Sequence, residues 1–65
     1  MIPQLRIKSS RRNEYKAGQV IAADALLRDY TKDCDKGTAH WLWCVPMPTA
    51  IETMTQDWGI EYEIA

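Results

Sequence analysis

At 65 residues the chain has room for one small domain, spanning 1–65, and its hydrophobic fraction of 46% excludes wholesale disorder. The longest apolar stretch is too short to cross a membrane, and the first residues lack the apolar core of a secretion signal. We therefore expect a cytoplasmic protein, with a net charge of only −1.

The segment from Ile2 to Lys8 predicts the first strand. Its apolar and polar side chains alternate, as on a strand that places one face against a core. Pro3 suits this position, because proline donates no ladder hydrogen bond and is tolerated at the start of a strand. The basic connection that follows is rich in turn-forming residues, and a short second strand around Tyr15 stays open.

The segment 19–33 predicts the first helix. Its apolar residues are spaced as on one face of a helix, namely Val20, Ala23, Leu27 and Tyr30. Gly37 follows as a natural stop, since glycine adopts the left-handed conformation that often ends a helix.

The segment 38–45, with the sequence TAHWLWCV, predicts a second strand that ends at the prolines of PMP. As a strand it carries His40, Leu42 and Cys44 on one face, and Trp41, Trp43 and Val45 on the other. Both faces are largely apolar, as in a central strand. Because two short helices cannot cover both, we expect one row to face outward.

The two tryptophans of this segment leave two alternatives. We favour Trp41 and Trp43 facing inward, because indole rings offer the largest apolar area in a domain without phenylalanine. In the outward alternative they are candidates for the residues that dominate binding to a partner, since tryptophan is enriched among such residues.

A second helix and a third strand complete the predicted fold. Thr49 and Glu52 match a capping box, so we expect a helix that starts at Thr49 and stops at Gly59. From Ile60 to Ile64 apolar and acidic residues alternate, as in a half-buried strand. The order β-α-β-α-β predicts an α+β domain with a three-stranded sheet and two helices on one face. Parallel and mixed strand pairing both stay open.

The charges are segregated along the chain. Residues 1–28 hold six basic and two acidic residues, and residues 29–65 hold two basic and seven acidic ones. If the first and third strands are neighbours, the outward Arg6 and Lys8 face the outward Glu61 and Glu63. Each cross-strand pair of opposite charge then stabilises the sheet by roughly 0.2–1 kcal/mol.

His40 and Cys44 suggest nucleophilic chemistry, which the predicted strand excludes. Four residues apart on a strand, they are separated by ~13 Å, beyond hydrogen-bond reach. Adding Cys34 gives three potential zinc ligands at no recognised spacing, where a structural site needs four. We therefore expect no enzyme activity, no metal and no cofactor, and we expect both cysteines to be free thiols.

These expectations favour a small non-enzymatic protein-binding module. Such proteins are often inhibitors or accessory proteins of larger complexes, and phage or mobile-element proteins that block CRISPR or restriction complexes form a populous class of this kind. This expectation rests on the general class of small proteins without catalytic residues, and no sequence motif supports it. The candidate partner-binding residues are Trp41, Trp43, Arg11, Arg12, Asp33, Asp35, Glu61 and Glu63.

Two alternative functions stay open. The basic segment from Arg6 to Lys16 combines five cations with a tyrosine and two serines, a mix suited to contacts with nucleic-acid phosphates. The outward row of the second predicted strand would instead suit a homodimer. A membrane is not an expected partner.

Overall fold

One antiparallel sheet with helices on a single face forms the protein, for which the computed structural model describes residues 2–65. The predicted α+β class with a three-stranded sheet is confirmed, but there are three helices rather than two. The strands run in the order β2-β1-β3. The elements are β1 (Gln4–Ser10), β2 (Val20–Ala22), α1 (Ala23–Thr31), α2 (Lys36–Cys44), α3 (Met47–Trp58) and β3 (Ile60–Ile64).

The central strand β1 separates the core from a charged outer face. Leu5 and Ile7 point toward the helices and are fully buried, whereas Arg6 between them is exposed. Arg6 lies opposite Glu63 of β3, and their side chains form an ion pair of 3.5 Å. The first and third strands are therefore neighbours, the arrangement in which pairs of opposite charge across the two strands are expected. Because both side chains are about half exposed, this pair contributes at most about 1 kcal/mol.

The first helix is shorter than the segment 19–33 predicts. Its first residues form β2 instead, with Ile21 opposite Leu5 and Val20 opposite Arg6. Pairing with β1 satisfies the backbone groups of this β-branched stretch, so the helix begins only at Ala23. No strand forms at Tyr15, which lies in the connecting turn and is buried.

The segment predicted as the second strand is a helix, α2, so that prediction is wrong. Asp35 caps its N-terminus by accepting hydrogen bonds from the Thr38 hydroxyl at 2.6 Å and the Thr38 backbone N–H at 3.1 Å. Both bonds lower the pKa of the Asp35 carboxyl, and the bond from the Thr38 hydroxyl has the larger effect. Pro46 forces Val45 into an extended conformation and ends the helix.

Helix α3 begins at Met47, two residues earlier than the capping box predicts. Pro46 is the N-cap residue and makes no side-chain capping bond, so the predicted pairing of Thr49 with Glu52 is wrong. Pro48 fits in the first turn because its missing N–H has no partner to lose there. The predicted end at Gly59 is confirmed, with a left-handed φ of 67°.

Trp58, the last residue of α3, contacts both α1 and the loop after β1. Its ring lies 4.9 Å from the ring of Tyr30 and 5.7 Å from that of Tyr15, centroid to centroid. The Tyr30 hydroxyl donates to Asp57 at 2.7 Å, and the Tyr15 hydroxyl donates to Asp29. Burial is the main cause that raises the pKa of both tyrosines, and the neighbouring carboxylates raise it further. The pKa of Tyr30 rises to about 12.

A single cluster of buried side chains lies between the sheet and the helices. Every helix and all but the shortest strand contribute to it. Its members are Leu5, Ile7, Tyr15, Ala23, Leu26, Leu27, Tyr30, Leu42, Ala50, Ile51, Met54 and Ile60. Within residues 2–65, none of the helices combines the length and the apolar character needed to cross a membrane.

Replacing Gly59 by alanine is expected to destabilise the fold by about 1–2 kcal/mol for the left-handed backbone alone. The new Cβ would also overlap the guanidinium of Arg11, but this is the end of a flexible, exposed side chain that can move aside at little cost, so the total loss should stay close to this figure. Gly18→Ala is the matched control, because Gly18 has a φ of 90° and nothing within 4 Å of the added Cβ. Urea unfolding compares the two variants. A clearly larger loss in Gly59→Ala than in Gly18→Ala would contradict this expectation and show that Arg11 cannot move aside.

Alkaline pH is expected to weaken the fold through Tyr30. Below about pH 10 tyrosine is neutral in both the folded and the unfolded state, so its stabilisation is fully present. As pH rises toward 12, the unfolded chain ionises first and stability falls. Tyr30→Phe keeps the ring contacts and should lose less stability across this window. Urea unfolding at several pH values tests this, and an unchanged pH dependence in the variant would contradict it.

Candidate functional site

Helix α2 is attached to the protein by very little buried surface. Leu42 is its only buried residue, at 1% exposure. Successive helical residues are rotated by about 100°, so Trp41 and Trp43 lie on opposite sides of Leu42. Both indoles are about half exposed, at 48% and 47%. The favoured expectation of inward tryptophans is therefore wrong, and they do not share one face either.

The Trp43 ring is held against the neighbouring helix. Its indole N–H donates to the Thr31 hydroxyl at 3.4 Å, and that hydroxyl in turn donates to the Leu27 carbonyl at 2.9 Å. The polar edge of the ring is thus fixed on α1, while much of the apolar ring stays in contact with solvent. A half-exposed aromatic ring held in one position loses little further freedom when a partner covers it.

His40 and Cys44 lie on the solvent-facing ridge of α2, between the two tryptophans. One helical turn separates them, and the distance from Cys44 Sγ to His40 Nε2 is 3.5 Å. The separation of ~13 Å expected for a strand is therefore wrong, because four residues span one turn of a helix. Both side chains are exposed.

The two predicted arginines contact the protein itself. Arg12 lies over Trp58, with its guanidinium carbon 3.9 Å from the ring centre, and pairs with Glu14 at 2.6 Å. The Arg11 side chain packs against Gly59, whose carbonyl also accepts the Arg11 backbone N–H at 3.3 Å. Both arginines therefore stabilise the loop after β1, in addition to any contact with a partner.

The four predicted acidic residues lie in two separate regions. Asp33 and Asp35 precede α2, where Asp35 serves as its cap. Glu61 and Glu63 lie on the outer face of β3, where Glu63 pairs with Arg6. The structure thus brings Trp41, Trp43, Asp33 and Asp35 together on and beside α2, and places the other four predicted residues elsewhere.

A groove of about 890 Å³ runs between α3 and β3, and no sequence pattern predicted it. Its apolar lining includes Pro48, Ile51, Tyr62 and Ile64. Strand β3 is an edge strand, and its last residue, Ile64, lines the groove and is 60% exposed. Only the pairing of β1 with both of its neighbours shows that β3, like β2, lies at an edge of the sheet.

Hydrogen bonding shows which backbone groups of β3 face the open edge of the sheet. Ile7 donates its N–H to Gln19 and accepts from Gly18, so its backbone faces β2. Its partner on β3 is Tyr62, and in an antiparallel ladder the groups of such a pair point away from each other. The backbone of Tyr62 therefore faces the open edge of the sheet, where another strand can pair.

Comparisons of the chain with protein-family models, with curated proteins and with solved structures found no significant match. We therefore base the proposed function on the positions of this chain's own side chains. Among them, the surface of α2 combines two large exposed indole rings with an exposed cysteine and histidine whose Sγ and Nε2 atoms are 3.5 Å apart.

Iodide quenching is expected to separate the three tryptophans. Trp41 and Trp43 should be quenched readily, whereas Trp58 is covered by Arg12 and two tyrosine rings. A variant with Trp41→Phe and Trp43→Phe leaves only the Trp58 emission, which should be blue-shifted and resist quenching. Trp58→Phe is the complementary control and should show the most quenching. Resistance in all three proteins would contradict the exposed position of α2.

Proposed function

We propose that the chain is a protein-binding module that catalyses no reaction and contacts its partner through α2. The observation that carries this proposal is a helix in which Leu42 is the only buried residue and which leaves Trp41 and Trp43 half exposed. Folding gains nothing from apolar area left in water, whereas a partner that covers it gains stability. Tryptophan is also the residue most enriched among those that dominate binding energies.

The surroundings of the two indoles support a protein partner. Charged residues lie at the start of α2 and just before it, so an apolar centre has a polar border. They are Lys32, Asp33, Asp35 and Lys36. An apolar centre with a polar rim is the usual composition of a protein–protein interface. The mixed signs of these charges are less suited to a uniformly negative phosphate backbone.

The nucleic-acid alternative has less support from the positions of the basic residues. Of the five cations between Arg6 and Lys16, Arg6 is paired with Glu63 and Arg12 with Glu14. A phosphate would have to compete with these carboxylates. Binding to nucleic acid stays a prediction, as does a role as inhibitor or accessory protein of a larger complex.

Removing either indole is expected to weaken binding to the partner by at least about 30-fold, since residues that dominate an interface contribute about 2 kcal/mol or more. The experiment captures a partner on immobilised protein, purifies it, and compares its Kd for wild type, Trp41→Ala and Trp43→Ala. Both residues are half exposed, so the variants should keep the wild-type circular dichroism spectrum and unfolding midpoint.

Val20→Ala provides the matched control for that experiment. Val20 is apolar, and its exposed fraction of 49% is close to that of the two tryptophans. Unlike them, it lies opposite Arg6 on the outer face of the sheet. Its substitution should leave the Kd unchanged. Tryptophan variants that bind like wild type, or an equal loss in Val20→Ala, would refute docking through α2.

A further inference from the structure

We infer that Cys44 and His40 form half of a metal site, which two copies of the chain complete around one zinc-type ion. The two side chains are neighbours on the solvent-facing ridge of α2, with Sγ and Nε2 3.5 Å apart. Thiolate and imidazole are the ligands that zinc prefers in proteins. This site needs only the exposed His40 and Cys44 of two copies of the chain, and no foreign partner takes part in it.

The distance between the two atoms matches the geometry of zinc. Zinc binds a thiolate sulfur at about 2.3 Å and an imidazole nitrogen at about 2.0–2.1 Å. At a tetrahedral angle these two bond lengths place sulfur and nitrogen about 3.5 Å apart. Cys44 and His40 are already at that separation. Both can therefore bind one ion with no change in the backbone of α2.

A second copy is the occupant that completes the coordination. Residues 2–65 contain no cluster of three or more side chains able to hold a metal, so one chain offers the ion two ligands of the four it needs. A copy related by a two-fold axis presents the same pair from its own α2. The four side chains then form a Cys₂His₂ set, with each copy making identical contacts.

The ridge allows two helices to approach each other. Gly37 shares this side of α2 with Cys44, and both residues are small and exposed. Trp41 and Trp43 border the ridge on its two sides, so a second copy would cover part of their exposed area. The gain in buried apolar surface adds to the metal–ligand bonds.

The second cysteine of the chain provides an internal control. Cys34 is partly buried, its thiol lies 3.5 Å from the Tyr30 carbonyl, and burial raises its pKa. A thiol in such a place is a poor metal ligand, because the ligand is the thiolate. Cys34→Ser should therefore leave the proposed site intact.

Cobalt(II) titration of the reduced full chain tests the inference. Co²⁺ replaces zinc and shows thiolate charge-transfer and tetrahedral ligand-field absorption. We expect both signals to saturate at half an equivalent of Co²⁺ per chain, together with a doubling of the mass by light scattering. His40→Ala and Cys44→Ser should each abolish the signals and the dimer, and Cys34→Ser should retain them.

Three results would overturn the inference. They are the absence of thiolate absorption in the wild type, its persistence in Cys44→Ser, and saturation at one equivalent with the mass of a monomer. Binding to a foreign partner is measured with a chelator present, where the two copies are apart. A loss of metal binding and a loss of partner binding can therefore be told apart.

Discussion

The antiparallel pairing of β1 with both of its neighbours is the constraint on which the rest of the structure depends. Leu5 and Ile7 are buried beneath the helices, while Arg6 between them pairs with Glu63 on the outer face. A shift of the pairing by one residue would expose both apolar side chains and bury a charge. With the register fixed in this way, all three helices must cover the same face of the sheet.

Covering one face of a three-stranded sheet does not need three helices. The side chains of α1 and α3 supply most of the helical part of the core, and α2 adds only Leu42. A chain of this size buries only about 60% of the surface of its unfolded form, so its small core has little room for further indole rings. The exposed tryptophans of α2 are thus a consequence of a core that is already filled.

Strands β1 and β3 could be predicted from the sequence, whereas β2 and α2 could not. The short β2 is missed because Val20 also fits the apolar face of the first helix. In β1 and β3 apolar residues alternate with charged ones, so only a strand hides one set and exposes the other. The segment 38–45 is apolar at nearly every position, and a helix held by Leu42 is as compatible with it as a strand. Asp35 followed by Thr38 was the local signal for a helix start.

The energetics of the α2 surface limit what it can bind alone. A tryptophan buries about 150–250 Å², so covering the exposed half of each indole removes about 100 Å² from water. At about 25 cal/mol per Å² this stabilises a complex by about 2–3 kcal/mol per ring. Association itself costs about 4–15 kcal/mol, so the two rings together barely offset the lower end of that range. A stable complex at α2 therefore needs a further contribution, either from the charged residues at the start of the helix or from metal bonds to His40 and Cys44.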